Sequence, residues 1–287
     1  MLKVIEAIIK GPIFSIQRPL SYQVGDSLIL PQPSTLVGAL SFCLSKAELI
    51  KAQGYGNTYL KNLIKIVREG LARVTVKPLT PIISTPVLLS RLRTLEWSID
   101  KIEKKISRGE KLTNAMIREY VFGTYSIYFL FTDNELAKKS IKSLPLLSRI
   151  GDTESLSSVV SVDEAKFVGK RKKGLVNTYT PCDWVTEISE NFLIARLCEE
   201  EYIEHVLEEM KGEAKTKVKE RLKLSLKFFR NFSRNFYLPL TIEKASKEYL
   251  VYRPAEFLAK VEEDYVIAHF RTKQNEVKIV VKEEWLT

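Results

Sequence analysis

"YVFGTYSIYFLF", residues 120–131, is aromatic and β-branched almost throughout and reads as a strand. Its natural partner is the alternating "LARVTVKPL" at 71–79. Downstream, Asp133 is a good N-cap for a helix to about Ser143, after which "SRIGDTESLSSVVSVDEAKFV" turns through Gly151 into another strand-like run. Upstream, residues 2–10 read as a strand ended by Gly11 and Pro12, and a helix runs from about Ser34 to Ala52. A second helical piece, Thr58 to Glu69, is closed by Gly70. The order strand, helix, strand, strand, helix, strand is that of the split β-α-β unit of ferredoxin-like and RNA-recognition folds. Between 79 and 120 lies a long excursion, basic from 85 to 118, and excursions of that length between pairing strands are usually functional.

Past Gly174 the pattern changes to strands near 175–198, a charged helix from Glu199 to about Phe232, and a β-rich tail ending in "VKIVVKEEW". The expected fold is therefore α+β. It has a ferredoxin-like, RRM-like domain over 1–172 with an insertion at about 85–118. A smaller β-rich domain with one long charged helix follows over 173–287.

The 287 residues are 45% hydrophobic and 28% charged, as in a folded soluble protein. No apolar run approaches the roughly 18 residues of a membrane helix, and Glu6 interrupts the N-terminal run where a signal peptide would be apolar, so a cytoplasmic location with no membrane partner is expected. Cys43, Cys182 and Cys198 are odd in number and widely spaced, which suggests buried thiols and neither a disulfide framework nor a zinc site. The net charge of +10, with a pI near 9.3, favours an anionic partner, nucleic acid first. Thermophilic surface ion networks would explain abundant charge, but not its imbalance.

No catalytic constellation assembles, and neither a cofactor nor a metal is expected. "GKRKKGLV" (169–176) begins like a phosphate-binding loop, but Leu175 and Val176 stand where Lys and Ser or Thr would be needed. The only histidines are His205 and His269. The acidic run Glu199–Glu200–Glu201 reads as a solvated helix face, because adjacent side chains on a helix diverge by about 100°.

Three basic concentrations remain: 85–118, 166–173 and 211–234. A phosphate-tracking surface accounts for them together. Lys170, Arg171, Lys172 and Lys173, bracketed by Gly169 and Gly174, read as an exposed loop tip. In "LPQPSTLVGAL" (30–40), Pro31 and Pro33 hold the approach extended, Ser34 or Thr35 caps a helix, and the free N–H groups of its first turn form an anion site. Gly38 lets a backbone come close, either RNA or the neighbouring sheet.

"GPIFSIQRPLSYQ" (11–23) followed by "LPQPSTLVGAL" resembles the N-terminal signature of the CRISPR-associated protein 5 family, within the superfamily of repeat-associated RNA-binding (RAMP) subunits. "RIGDTESLSSVVSV" (149–162) resembles a second family segment, and the likeness covers about the first 165 residues. The resemblance implies a non-catalytic subunit of an archaeal type I Cascade complex, preferably type I-A. Such a subunit grips the 5′ handle of the CRISPR RNA and joins the backbone filament (CRISPR-associated protein 7) to the large subunit in antiviral defence. A thumb would emerge at 85–118. Arg18, Tyr22, Ser34, Thr35, Gly38, Arg149, Gly151, Ser155 and Lys170–Lys173 would hold the handle, and Arg91 and Arg93 would belong to the thumb. The alternatives are a metal-independent endoribonuclease that matures the RNA precursor, or the homologous type III subunit. The superfamily's nucleases use an early histidine, and this chain has none before His205.

Overall fold

A computed structural model describes residues 2–10, 13–16, 26–92, 98–110, 113–151, 155–189, 192–209, 227–246 and 249–287. The first elements are β1 (Lys3–Lys10), β2 (Ile13–Phe14), α1 (Pro33–Lys46), α2 (Gly56–Gly70), β3 (Leu71–Pro78), β4 (Ile82–Leu92), α3 (Ile99–Ser107), β5 (Thr113–Phe122), β6 (Tyr125–Phe131) and α4 (Asn134–Ser143). There follow β7 (Ser158–Arg171), β8 (Lys173–Val176), β9 (Thr180–Pro181), β10 (Val185–Ile188), β11 (Ile194–Cys198) and α5 (Tyr202–Glu209). The chain closes with β12 (Ser233–Tyr237), β13 (Leu240–Ala245), β14 (Leu250–Pro254), β15 (Phe257–Val261), β16 (Tyr265–Arg271) and β17 (Glu276–Lys282).

Every residue of β6 is buried, as its aromatic and branched side chains demand. Burying Phe129 and Phe131 stabilises the fold by roughly 1.5–3 kcal/mol each. β6 lies inside a six-stranded sheet of order β17-β16-β7-β1-β6-β3. β1 runs antiparallel to both β6 and β7, and β3 antiparallel to β6. β1 and β3 are therefore parallel and need the α1–α2 crossover, and β6 and β7 likewise need α4. These helices cover one face, where Ile5, Ile9, Val74 and Ile127 join Leu36, Leu40 and Leu63 in one core.

The other face is covered by the curl of the sheet itself. β7 pairs with β1 through Ala165 and with β16 from Lys166 onward, so β16 and β17 extend the sheet. The segment 177–179 then bridges β17 to β3, with Asn177 N–H donating to Lys278 O at 3.4 Å and Tyr179 N–H donating to Val76 O at 3.2 Å. Arg73 is fully buried in this closure. It donates to Val280 O (2.6 Å) and Tyr179 O (2.9 Å) and lies 4.4 Å from the Trp184 ring. Burial lowers its pKa to about 10, with Glu200 acting in the opposite direction. Tyr179, Phe236, Leu240 and Tyr252 join the helix-side core, so residues beyond 172 pack into the same interior as β1 and α1.

The basic excursion is an arm. β4 and β5 pair from Ile83↔Phe122 to Leu92↔Thr113, with α3 at the tip and no residue of α3 buried. The base of the arm joins a five-stranded sheet, β13-β14-β4-β5-β2. The single strand expected over 120–131 is two: it breaks at Gly123, where a β-carbon would run into the Ile82 side chain as the chain passes from arm to main sheet.

Other expectations are corrected. α1 ends at Lys46 rather than Ala52, because Glu48 turns left-handed (φ 55°) and Leu49 N–H closes back on Leu44 O at 3.1 Å. Its N-cap is Gln32 with no side-chain capping bond, so neither Ser34 nor Thr35 caps it. The lysine run at 166–173 is no loop tip but the end of β7, a bend at Lys172 and the start of β8. Of the long helix expected over 199–232, α5 and a helical turn at 227–231 are described, and 210–226 lie outside the described residues.

Candidate nucleic-acid interface

One end of the main sheet gathers several of the segments that the sequence reading singled out. Beyond β1 the chain enters β2, where Phe14 is buried and packs edge-on against Tyr125 at 6.0 Å. Ser15 N–H donates to Ser155 Oγ (3.1 Å), and Ile16 N–H donates to Ser27 Oγ (3.0 Å). Leu28 N–H donates to Ile16 O (2.9 Å), which ties together the two ends of the segment that carries Arg18 and Tyr22. Those two residues lie outside the described residues, but the points where their segment leaves and returns are fixed.

Ser27 N–H donates to Glu119 Oε2 at 2.8 Å, and the other oxygen of Glu119 accepts from Ser84 Oγ. Glu119 and Ser84 stand at the base of the arm, so a single carboxylate couples the arm to the loop. Arg91 sits on β4 opposite Asn114, further out along the arm, and Arg93 lies outside the described residues.

The second family-like segment reaches the same place. Ser157 N–H donates to Ser148 O at 3.0 Å, and Arg149 bridges to Leu156, so the two flanks of this segment are paired. Gly151 has φ 93°, and a β-carbon there would stand 2.6 Å from Ile16 Cγ1 and 3.4 Å from Ser15 O. Only glycine allows both that backbone conformation and that approach. Ser155, 1% exposed, supplies the hydroxyl for Ser15, while Arg149 is exposed and takes part in no ion pair among the described residues.

The start of α1 is not open at this end. Pro33 has no N–H to offer, Ser34 is 2% exposed, and Gln32 Oε1 accepts from Cys198 N–H at 3.1 Å. A β-carbon on Gly38 would meet Ile203 of α5 at 3.4 Å, so the close approach there is helix against helix. Thr35 is half-buried.

Lys170–Lys173 stand at the opposite end of β7 from Ser158, roughly 40 Å away at 3.3 Å per residue. Lys170 Nζ pairs with Glu283 Oε1 (2.5 Å) and Lys172 Nζ with Glu283 Oε2 (2.9 Å), and these bonds hold the Glu283 carboxyl down at about 2. Arg171 and Lys173 are exposed. The candidate set is thus divided between two ends of one strand.

The histidines and acidic runs have other neighbours. His205 stacks on Phe232 with ring centroids 4.0 Å apart, and His269 Nε2 lies 3.5 Å from Glu276 Oε2. Glu199 pairs with Arg234, Glu200 accepts from Val74 N–H (3.0 Å), and Glu201 accepts from Arg68 (2.7 Å). These three carboxylates hold separate parts of the fold together. Sequence reasoning missed Ser15, Ser27, Ser84 and Glu119, whose roles depend on contacts across distant segments; the one local hint was a serine on each side of the Arg18–Tyr22 stretch.

No family model matches the chain. It is 29% identical over 199 residues to the CRISPR-associated protein Cas5 of Methanocaldococcus jannaschii, covering 67% of this chain and 75% of that protein. It is 31% identical over 175 residues to the CRISPR-associated protein Cas5 of Thermoproteus tenax, covering 58% and 68%. The crystal structure of a CRISPR protein from Archaeoglobus fulgidus superposes over 98% of this chain and 99% of that one, with a TM-score of 0.52 at 15% identity, a likeness of fold. The chain belongs to the CRISPR-associated Cas5 family.

Proposed function

We propose that the chain is a non-catalytic, CRISPR RNA-binding subunit of a type I effector complex of the I-A kind, working in the cytoplasm. It grips the 5′ handle and joins the backbone filament, built of CRISPR-associated protein 7, to the large subunit. In this reading β1, α1, β3, β6, α4 and β7 form a ferredoxin-like platform over 1–172, the β4–α3–β5 arm is the thumb, and 173–287 form a C-terminal domain that shares its interior with the platform and lends β16 and β17 to its sheet. The observation that carries it is the convergence of Ser15–Ile16 and Ser27–Leu28, which flank the segment with Arg18 and Tyr22, with Gly151, Ser155 and the arm base on one end of the sheet. Single-stranded RNA is read by splayed bases that stack and accept hydrogen bonds, with phosphate contacts fixing the register. Tyr22 offers a stacking face, Arg18 and Arg149 offer cations, and the Ser15–Ser155 and Ile16–Ser27 hydrogen bonds anchor the residues that flank these segments.

The test is binding and integrity of a labelled CRISPR RNA carrying its 5′ handle, with a handle-scrambled RNA of equal length alongside, in the absence of divalent metal. Preferential binding of intact handle RNA is the expected result, weakened by Arg18→Ala with Arg149→Ala. Cleavage at the handle boundary that disappears in His205→Ala or His269→Ala would overturn the non-catalytic reading. Equal weak binding of both RNAs would overturn handle recognition.

A further inference from the structure

The second half of β7 has an open side. Lys166–Arg171 pair with β16, from Lys166↔Arg271 to Arg171↔Ile267, whereas β1 stops pairing at Ala165. Among the described residues no strand continues on the β1 side, and all of Lys166–Arg171 except half-buried Gly169 is exposed. Every second backbone N–H and C=O there faces outward, as on any strand edge. The register shift between His269 and Phe270 leaves Val168 without a partner on β16, a bulge that re-aims its side chain. Phe167 and Val168 are 50% and 51% exposed, although Phe167 keeps an edge-on contact with Phe270 at 5.6 Å. Exposed apolar side chains beside unpaired main chain are the ingredients of strand addition.

The charges decide what can add. Lys166, Arg171 and Lys173 are exposed and enter no ion pair among the described residues, while Glu283 occupies Lys170 and Lys172. Lysines along an edge repel a second copy of the same edge, since like charges would face each other. They attract an acidic strand. We propose that Phe167–Arg171 is a docking edge for a short, extended, acidic segment of a partner protein. Main-chain hydrogen bonds would extend the sheet, apolar side chains would cover Phe167 and Val168, and carboxylates would meet Lys166 and Arg171. This surface lies at the end of β7 away from the candidate RNA interface, so its test stands or fails separately from the handle reading.

The experiment uses the full chain and a short peptide alternating Val and Glu, with three comparison probes: the same peptide N-methylated at alternate residues, a Val–Lys peptide, and oligouridylate. Binding is followed by fluorescence anisotropy and by amide hydrogen exchange. The Val–Glu peptide is expected to bind and to slow exchange within 166–171 by about tenfold. The N-methylated and Val–Lys peptides should not, and Phe167→Lys with Val168→Lys, matched to the parent in thermal unfolding, should lose the effect. Absence of binding, equal binding of the N-methylated peptide, or protection elsewhere would overturn the proposal. Protection of the same amides by oligouridylate and not by the peptide would overturn it in favour of nucleic acid.

Discussion

The two ends of β7 hold their polar groups in different ways. Beside Ser158, hydroxyls satisfy backbone N–H groups: Ser155 serves Ser15 and Ser27 serves Ile16, and the nearby Arg149 keeps its charge free of ion pairs among the described residues. Beside Arg171, cations are already engaged: Lys170 and Lys172 share Glu283, and Lys172 also donates to Glu263 O (2.6 Å) and Tyr265 O (2.9 Å). The first end is tied together by hydroxyls without using up its charge. The second carries the denser positive run in sequence, and Glu283 holds two of its lysines while Lys166, Arg171 and Lys173 stay exposed and enter no ion pair among the described residues. A count of lysines and arginines therefore overstates the second end as a phosphate site by the two lysines that Glu283 holds.

Gly151→Ala is the strongest way to break this contrast. Alanine at φ 93° is strained, and its β-carbon would press on Ile16, so we expect a stability loss of about 2–4 kcal/mol, measured by denaturant unfolding. An equivalent stability in the variant would mean that the glycine turn does not organise this end, and the comparison would lose its firmer half.

What could be read from the sequence is what repeats with a period. The strand character of 2–10, 71–79 and 120–131 and the Asp133 cap followed from side-chain pattern alone, and the Asp133 carboxylate does accept from Glu135 N–H and Leu136 N–H. The break at Gly123 was hidden because both flanks are apolar and aromatic, and only the arrival of Ile82 from another strand forces it. The end of α1 was hidden because "AELIKA" (47–52) has good helix propensity, and local backbone closure at Glu48 overrides it. For the site, the proximity of residues 13–16 to 149–156 was implied only by the family resemblance. The pairing of Lys172 with Glu283, 111 residues away, leaves no local trace at all.

A smaller effect tests the same end more gently. Ser155→Ala removes the acceptor of Ser15 N–H in a buried setting, and an unsatisfied buried donor costs about 1–2 kcal/mol. RNA binding should weaken with it if the serine holds the loop in its binding shape. Stability that falls while handle affinity stays unchanged would separate the fold of this end from its role.

The smallest effect on stability, and the sharpest on the comparison, is expected from Glu283→Gln. Hydrogen bonds from Lys170 and Lys172 lower the Glu283 pKa from 4.5 to about 2 in the folded chain. A depressed carboxyl contributes stability above its unfolded pKa and loses it as the pH falls through the folded one. The parent should therefore be the more stable protein at neutral pH, and the difference should shrink between about pH 4.5 and pH 2, where the parent's carboxyl also becomes neutral. Thermal unfolding of both proteins across that range measures it. Both partners are exposed, so the stability difference is small at every pH. The effect on charge is larger, because glutamine removes the carboxylate that neutralises two lysines, although Lys172 keeps its bonds to Glu263 O and Tyr265 O. If the lysines then reach phosphate, the salt dependence of single-stranded RNA binding should steepen by up to about 0.7 per lysine recruited. An unchanged slope would mean that geometry, and not Glu283, keeps these lysines from RNA; the contrast between the two ends would then rest on where the chain aims its cations rather than on whether they are already paired.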